Sequence, residues 1–144
     1  MGVKIEVVRE ASDEVVAAFA RLLPQLSTSA KPLDRDGITR VIACDANTLL
    51  AARVGGEIAG TLTLVLFPLP TGLRAWIEDV VVDGAARGQG VGAALTAEAV
   101  RLAGEAGART VDLTSRPSRE AANRLYQRQG FQLRESNVYR HTVA

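Results

Sequence analysis

The sequence is short of the residues that most often announce a chemistry. Its 144 residues include one cysteine, Cys44, and one histidine, His141. A single cysteine excludes an internal disulfide framework and suits a reducing compartment, here the cytoplasm. Cys44 lacks the neighbours of an activated thiol, so a buried structural cysteine is expected. A lone histidine near the C-terminus excludes a histidine-based metal site, and no Ser-His-Asp or Cys-His set is on offer for covalent catalysis. Charge of one sign is also lacking: 17 Lys and Arg stand against 16 Asp and Glu. That balance gives no global attraction to nucleic acid or to membranes. No apolar run is long enough for a membrane helix, and the N-terminus has no signal-peptide core. Glu6 stands where a myristoylation signal needs Ser or Thr. Without repeats or a low-complexity linker, residues 1–144 are expected to form one domain.

What is present is a regular alternation of element signals. "VKIEVVRE" reads as a first strand. Ser12 caps a helix that carries Val15, Phe19 and Leu22 inward until Pro24. A second helix is predicted from Asp34 to Cys44. "TLLAARV", Gly55-Gly56 and "EIAGTLTLVLF" form a hairpin signal, and "RAWIEDVVVD" reads as a central strand. Val91, Leu95, Ala99 and Leu102 then line one helix face, and "RTVDLTS" is a strand. A helix from Ser118 to Gln129 and a closing pair of strands in "FQLRESNVYRHTV" complete the order βααβββαβαββ. Consecutive strands imply antiparallel pairing, and the later strand-helix-strand unit implies one parallel pair. The expected fold is α+β, with a mixed, mostly antiparallel sheet and about four helices.

Three glycines in "RGQGVG", Arg87 to Gly92, interrupt this pattern between an apolar strand and a helix. A helix start has unpaired N–H groups and the positive end of the dipole. Glycines let that backbone approach an anion, and Arg87 adds charge at the rim, so the stretch suits a phosphate. Gly88-x-Gly90-x-x-Ala93, with Asp112 downstream, also fits a dinucleotide fingerprint. That reading suffers from too few parallel strands after the motif, and from Asp112 lying inside its strand. Taken alone, the glycines also suit a turn with no ligand.

Arg87-x-x-Gly90-x-Gly92 after an apolar strand resembles the acetyl-CoA motif of the GCN5-related N-acetyltransferase (GNAT) superfamily. "IEDVVVDGAARGQGVGAAL" is similar to its strand, loop and helix, and "SREAANRLYQRQGF" to its later signature. The resemblance spans Trp76 to Phe131. It implies a splayed parallel strand pair that admits acetyl-CoA, with backbone near Val80, Val81 and Val82 bonding the pantetheine arm. Arg87, Gly88, Gln89, Gly90, Val91 and Gly92 would hold the pyrophosphate. Asn123 would touch the pantetheine arm, and Arg119, a turn earlier, would meet a CoA phosphate. Tyr126 would stand at the cofactor sulfur, where a phenol, protonated at neutral pH, serves as acid.

Acetyl transfer to an amine also needs the ammonium to lose a proton. Glu78 and Asp79 are adjacent carboxylates in an apolar strand, and alternation sends them to opposite faces. Glu78, with the longer reach, is taken as the base; an exposed edge pair with Arg74 is the bland alternative. The implied function is an acetyl-CoA-dependent N-acetyltransferase acting on a primary amine of a small acceptor, with no metal, nucleic acid or membrane involved. The alternative is a non-catalytic acyl-CoA-binding module. The terminal "NVYRHTV" suggests a homodimer.

Overall fold

A computed structural model describes residues 2–144. The elements are β1 (Val3–Val7), α1 (Asp13–Leu26), α2 (Arg35–Ala43), β2 (Asn47–Val54), β3 (Glu57–Leu69), β4 (Gly72–Val82), a 3-10 turn (Gly84–Ala86), α3 (Val91–Glu105), β5 (Val111–Asp112) and α4 (Glu120–Arg128). They fall into two compact units, one ending at Leu113 and one beginning at Thr114.

The first unit is built on local signals that the chain carries openly. Ser12 Oγ accepts the Val15 N–H at 3.3 Å, and Asp34 Oδ1 accepts the Gly37 N–H at 2.8 Å. Both satisfy orphan donors at a helix start. α1 runs past Pro24 to Leu26. A proline removes its own N–H donor and crowds the carbonyl four residues back, but its φ suits a helix, and here it falls in the last turn. Gly55 and Gly56 take φ of 60° and 85° and close the β2–β3 hairpin.

The strands form one sheet in the order β1-β2-β3-β4-β5. The first three pairings are antiparallel, and β4–β5 is parallel. The fold is therefore α+β with a mixed, mostly antiparallel sheet and four helices. One face of the sheet packs Leu49, Ala51 and Val81 with Val15, Leu22 and Ile38 of α1 and α2. The other face, with Leu50, Leu62 and Leu64 buried, carries α3 through its buried Val91, Leu95 and Ala99.

Gly60 sets how closely α3 approaches the sheet. A Cβ there would sit 2.9 Å from the Val81 carbonyl oxygen and 2.9 Å from Val91 Cγ1. The carbonyl belongs to paired backbone and has no room to retreat. Gly60→Ala should therefore destabilise the protein by about 1–3 kcal/mol, the usual range for overpacking. Urea denaturation checks this as a lower midpoint at unchanged slope.

Three expectations need correction. Cys44 is exposed, because it caps the C-terminal end of α2, beyond that helix's inward positions. β5 extends over two residues only, since its pairing with β4 stops at Trp76↔Asp112. The second unit contains α4 and no strand among the described residues, so the expected closing pair in residues 131–144 is not formed. Leu133 is 93% exposed and Tyr139 87%. Alternating sequence supplies a strand's side chains, but a strand also needs an edge to pair with, and this unit has none.

Candidate active site

The site begins with an irregularity in β4. Thr63 lies opposite Glu78, and Thr61 lies opposite Val81. Leu62 alone thus faces both Asp79 and Val80, which makes a β-bulge. The extra residue is taken up at Asp79, the only non-glycine with positive φ among the described residues, at 51°. Aspartate is among the few residue types that tolerate this region. The bulge overturns the expected alternation. Directly paired residues share a face, so Glu78 and Val81 both lie on the α1/α2 side. Asp79 borders a cavity on that same side, beside Thr61, Thr63 and Val81.

The bulge coincides with the end of pairing on β4's other edge. Past Trp76, the outer edge of Ile77–Val82 has no strand partner among the described residues. Backbone N–H and C=O groups there need partners from elsewhere. Val80, Val81 and Val82 belong to this stretch. The Val81 side chain is buried, so side chain and backbone serve different ends.

The chain next enters the glycine loop through a clamp. Arg21 Nε donates to Asp83 Oδ2 at 3.0 Å, and Gln25 Nε2 donates to Asp83 Oδ1 at 3.4 Å. Gln25 Oε1 accepts the Gly84 N–H at 2.9 Å. The Ala85 N–H, then Arg21 and Gln25, hold the Asp83 carboxyl below its ordinary pKa. Sequence reasoning missed this clamp. Arg21 and Asp83 are 62 positions apart, and no local pattern links them.

Gly88 and Gly90 each take φ of 81°. Gly90 is the N-cap of α3 and supplies no capping side chain, so the helix start presents bare backbone. A Cβ at either glycine would meet nothing within 4 Å. This is an open, glycine-lined backbone at the positive end of a 15-residue helix, and its chemistry suits a phosphate group. Arg87 and Gln89 are exposed beside it. The Val91 side chain is 1% exposed, so it anchors the helix and leaves only its backbone for a ligand.

Glu78 accepts a hydrogen bond from Trp76 Nε1 at 2.6 Å. It does not pair with Arg74, which instead meets Asp112 at 2.9 Å. That pairing also engages the carboxylate a dinucleotide ribose would need.

In the second unit, Tyr126 packs edge-on against Phe131 at 5.9 Å. Burial raises its phenol pKa, and the Arg119 charge opposes this. Asn123 Nδ2 donates to the carbonyls of Arg116 and Arg119, both at 2.9 Å. Its two amide protons therefore tie the start of α4, and its Oδ1 is the atom left for a ligand.

The profile of the acetyltransferase (GNAT) family matches residues 11–131. Among solved structures, a transcriptional regulator from Bacillus halodurans C-125 is 28% identical, with a TM-score of 0.81 over 97% of this chain and 99% of that one. A ribosomal-protein-alanine N-acetyltransferase from Brucella melitensis biovar Abortus 2308 is 23% identical, with a TM-score of 0.80 over 99% of this chain and 100% of that one. An aminoglycoside acetyltransferase from an uncultured soil metagenomic sample, solved in complex with sisomicin, is 19% identical, with a TM-score of 0.80 over 99% and 96% of the two chains. No curated protein matches the sequence. With a family match over most of its length and a bulged strand leading to a glycine-lined helix start, this chain belongs to the GNAT acetyltransferase family.

Proposed function

We propose that residues 1–144 work as one domain that transfers the acetyl group of acetyl-CoA directly to a primary amine of a small acceptor. The observation that carries this is the succession, within one stretch, of an unpaired strand edge at Ile77–Val82 and a bare helix start at Gly90. The edge suits the amides of a pantetheine arm, held by backbone at Val80, Val81 and Val82. The loop from Arg87 through Gly88, Gln89, Gly90, Val91 and Gly92 suits the pyrophosphate. Arg119 is assigned to a further CoA phosphate and Asn123 Oδ1 to the pantetheine arm. Two relatives of the same fold are N-acetyltransferases by name or act on an amine-bearing antibiotic class, which supports an amine acceptor.

The reaction balances without a covalent enzyme intermediate. A C–N bond forms as the thioester C–S bond breaks. The acceptor ammonium sheds two protons; one ends on the thiol sulfur and one in solvent. Glu78 takes the first, directly or through water, with Trp76 Nε1 fixing one carboxylate oxygen. Tyr126 supplies a proton to the departing thiolate.

Thiol release from acetyl-CoA across a panel of primary amines tests the proposal. Release above background with an acetylated amine in the mass spectrum is the expected result. Tight acetyl-CoA binding with no release for any amine would leave a binding module only. Glu78→Gln should lower kcat/KM about tenfold, a small general-base effect because water can stand in for the carboxylate. The loss should be greatest at low pH, where more of the acceptor is protonated and a base matters most. A pH–rate profile of the variant parallel to that of the native protein would assign deprotonation to solvent.

A further inference from the structure

The cavity beside Asp79 was not foreseen from sequence. It has a volume of about 70 Å³ and lies between α1, α2 and the sheet. Its walls are chiefly apolar: Phe19, Leu23 and Leu26 from α1, Ile38 and Val41 from α2. The polar exceptions are Thr61, Thr63 and Asp79. Asp79 is exposed, and its carboxylate takes no hydrogen bond or ion pair among the described residues. It therefore presents one unneutralised negative charge where an apolar recess opens.

We propose that this recess seats the apolar part of the acceptor, a monoamine bearing a short aliphatic group, while Asp79 holds its ammonium. The proposal rests on the acetyltransferase reading above and specifies the acceptor it leaves open. Wall chemistry sets the amine: among the described residues Asp79 is the one charged residue lining the recess, so a polyamine reaching into it would leave further charges against leucine and phenylalanine. The same walls set the remainder: a polyhydroxylated amine would bury several hydroxyls with few partners, each at a desolvation cost. Size sets the group: a dry cavity of about 150 Å³ holds benzene, so half that volume suits about three or four carbons beyond the one that bears the ammonium at the mouth. The bulge supplies the geometry. It brings Asp79 onto the cavity face while the adjoining Val80–Val82 edge runs toward the glycine loop, so ammonium holder and cofactor edge are continuous in one strand.

Two measurements on the full chain test the assignment. In an NMR titration with 3-methylbutylamine, residues lining the cavity should shift, and Asp79→Asn should weaken binding about tenfold or more. Asparagine is isosteric and also tolerates positive φ, so the variant should fold. Val41→Phe, which fills the recess from α2, should weaken 3-methylbutylamine while sparing ethylamine. In thiol-release assays, 3-methylbutylamine should exceed spermidine and sisomicin in kcat/KM about tenfold or more, with Asp79→Asn raising the acceptor KM and leaving acetyl-CoA affinity unchanged. Turnover of spermidine or sisomicin with no cavity shifts from 3-methylbutylamine would overturn the pocket assignment and leave acetyl transfer standing. Cavity binding that depends on Asp79, with no thiol released by any amine, would establish the amine pocket and reject acetyl transfer.

Discussion

Tyr126→Phe is expected to lower kcat on the order of 10- to 1,000-fold while leaving acetyl-CoA affinity nearly unchanged. The substitution removes one hydroxyl. The ring stays, and with it the edge-on contact to Phe131 at 5.9 Å, so packing in the second unit should survive. The wide range reflects how well a water can replace the phenol as proton donor. Burial raises the phenol pKa, with Arg119 opposing, so the hydroxyl stays protonated through neutral pH and is available as an acid. The sign of the pH effect follows. A raised pKa places loss of the proton above the ordinary tyrosine value of about 10, so ionisation of Tyr126 should not shape the native rate profile between about pH 7 and 9. Steady-state kinetics with a competent amine, beside calorimetry of acetyl-CoA binding, checks both halves. A variant with native kcat would remove Tyr126 from proton transfer.

The parts of the fold that were legible in the sequence are those set by neighbours along the chain. Ser12 and Asp34 cap their helices because a short polar side chain three residues before an N–H is a complete local device. Gly88 and Gly90 were legible for a similar reason: positive φ selects glycine, so the residue type records the backbone. The bulge at Asp79 left no such mark. An alternating strand and a bulged one carry the same apolar residues, and only pairing with Thr61 and Thr63 shows the added residue. The consequence was functional, since alternation separated Glu78 from Asp79 and the bulge reunites them on one face. The clamp of Arg21 and Gln25 on Asp83 and the Asp79 cavity draw on elements far apart in sequence, and neither repeats at a helical or strand period. Residues 131–144 show the opposite failure. Their alternation is plain, but a strand is a property of two segments, and alternation describes one.

Gly90→Val should weaken acetyl-CoA binding about 100- to 1,000-fold in a protein that still folds. Two costs add. Gly90 sits at φ 81°, where a residue with a Cβ pays about 1–2 kcal/mol, more if branched; in the free protein valine escapes this by shifting the loop, and binding must restore it. The isopropyl group would also project into the open space above the helix start, where nothing in the chain lies within 4 Å. An anion kept from that backbone loses hydrogen bonds worth about 1.5–3 kcal/mol when one partner is charged. At about 1.4 kcal/mol per decade, the sum of about 2.5–5 kcal/mol corresponds to about 60- to 4,000-fold, which brackets the stated loss. The same open space explains why the fold should survive: valine meets no core atom, and Val91, buried at 1% exposure, still anchors α3. Gly90→Asn separates the two costs. Asparagine tolerates positive φ, so the loop keeps its course, and only the approach of the phosphate is hindered. A loss of about tenfold is expected for it, between glycine and valine. Calorimetry that finds native affinity in folded Gly90→Val would reject the loop as the pyrophosphate site. Binding of NADH by the native protein, with none of acetyl-CoA, would instead favour a dinucleotide at this helix start, which the engagement of Asp112 by Arg74 argues against.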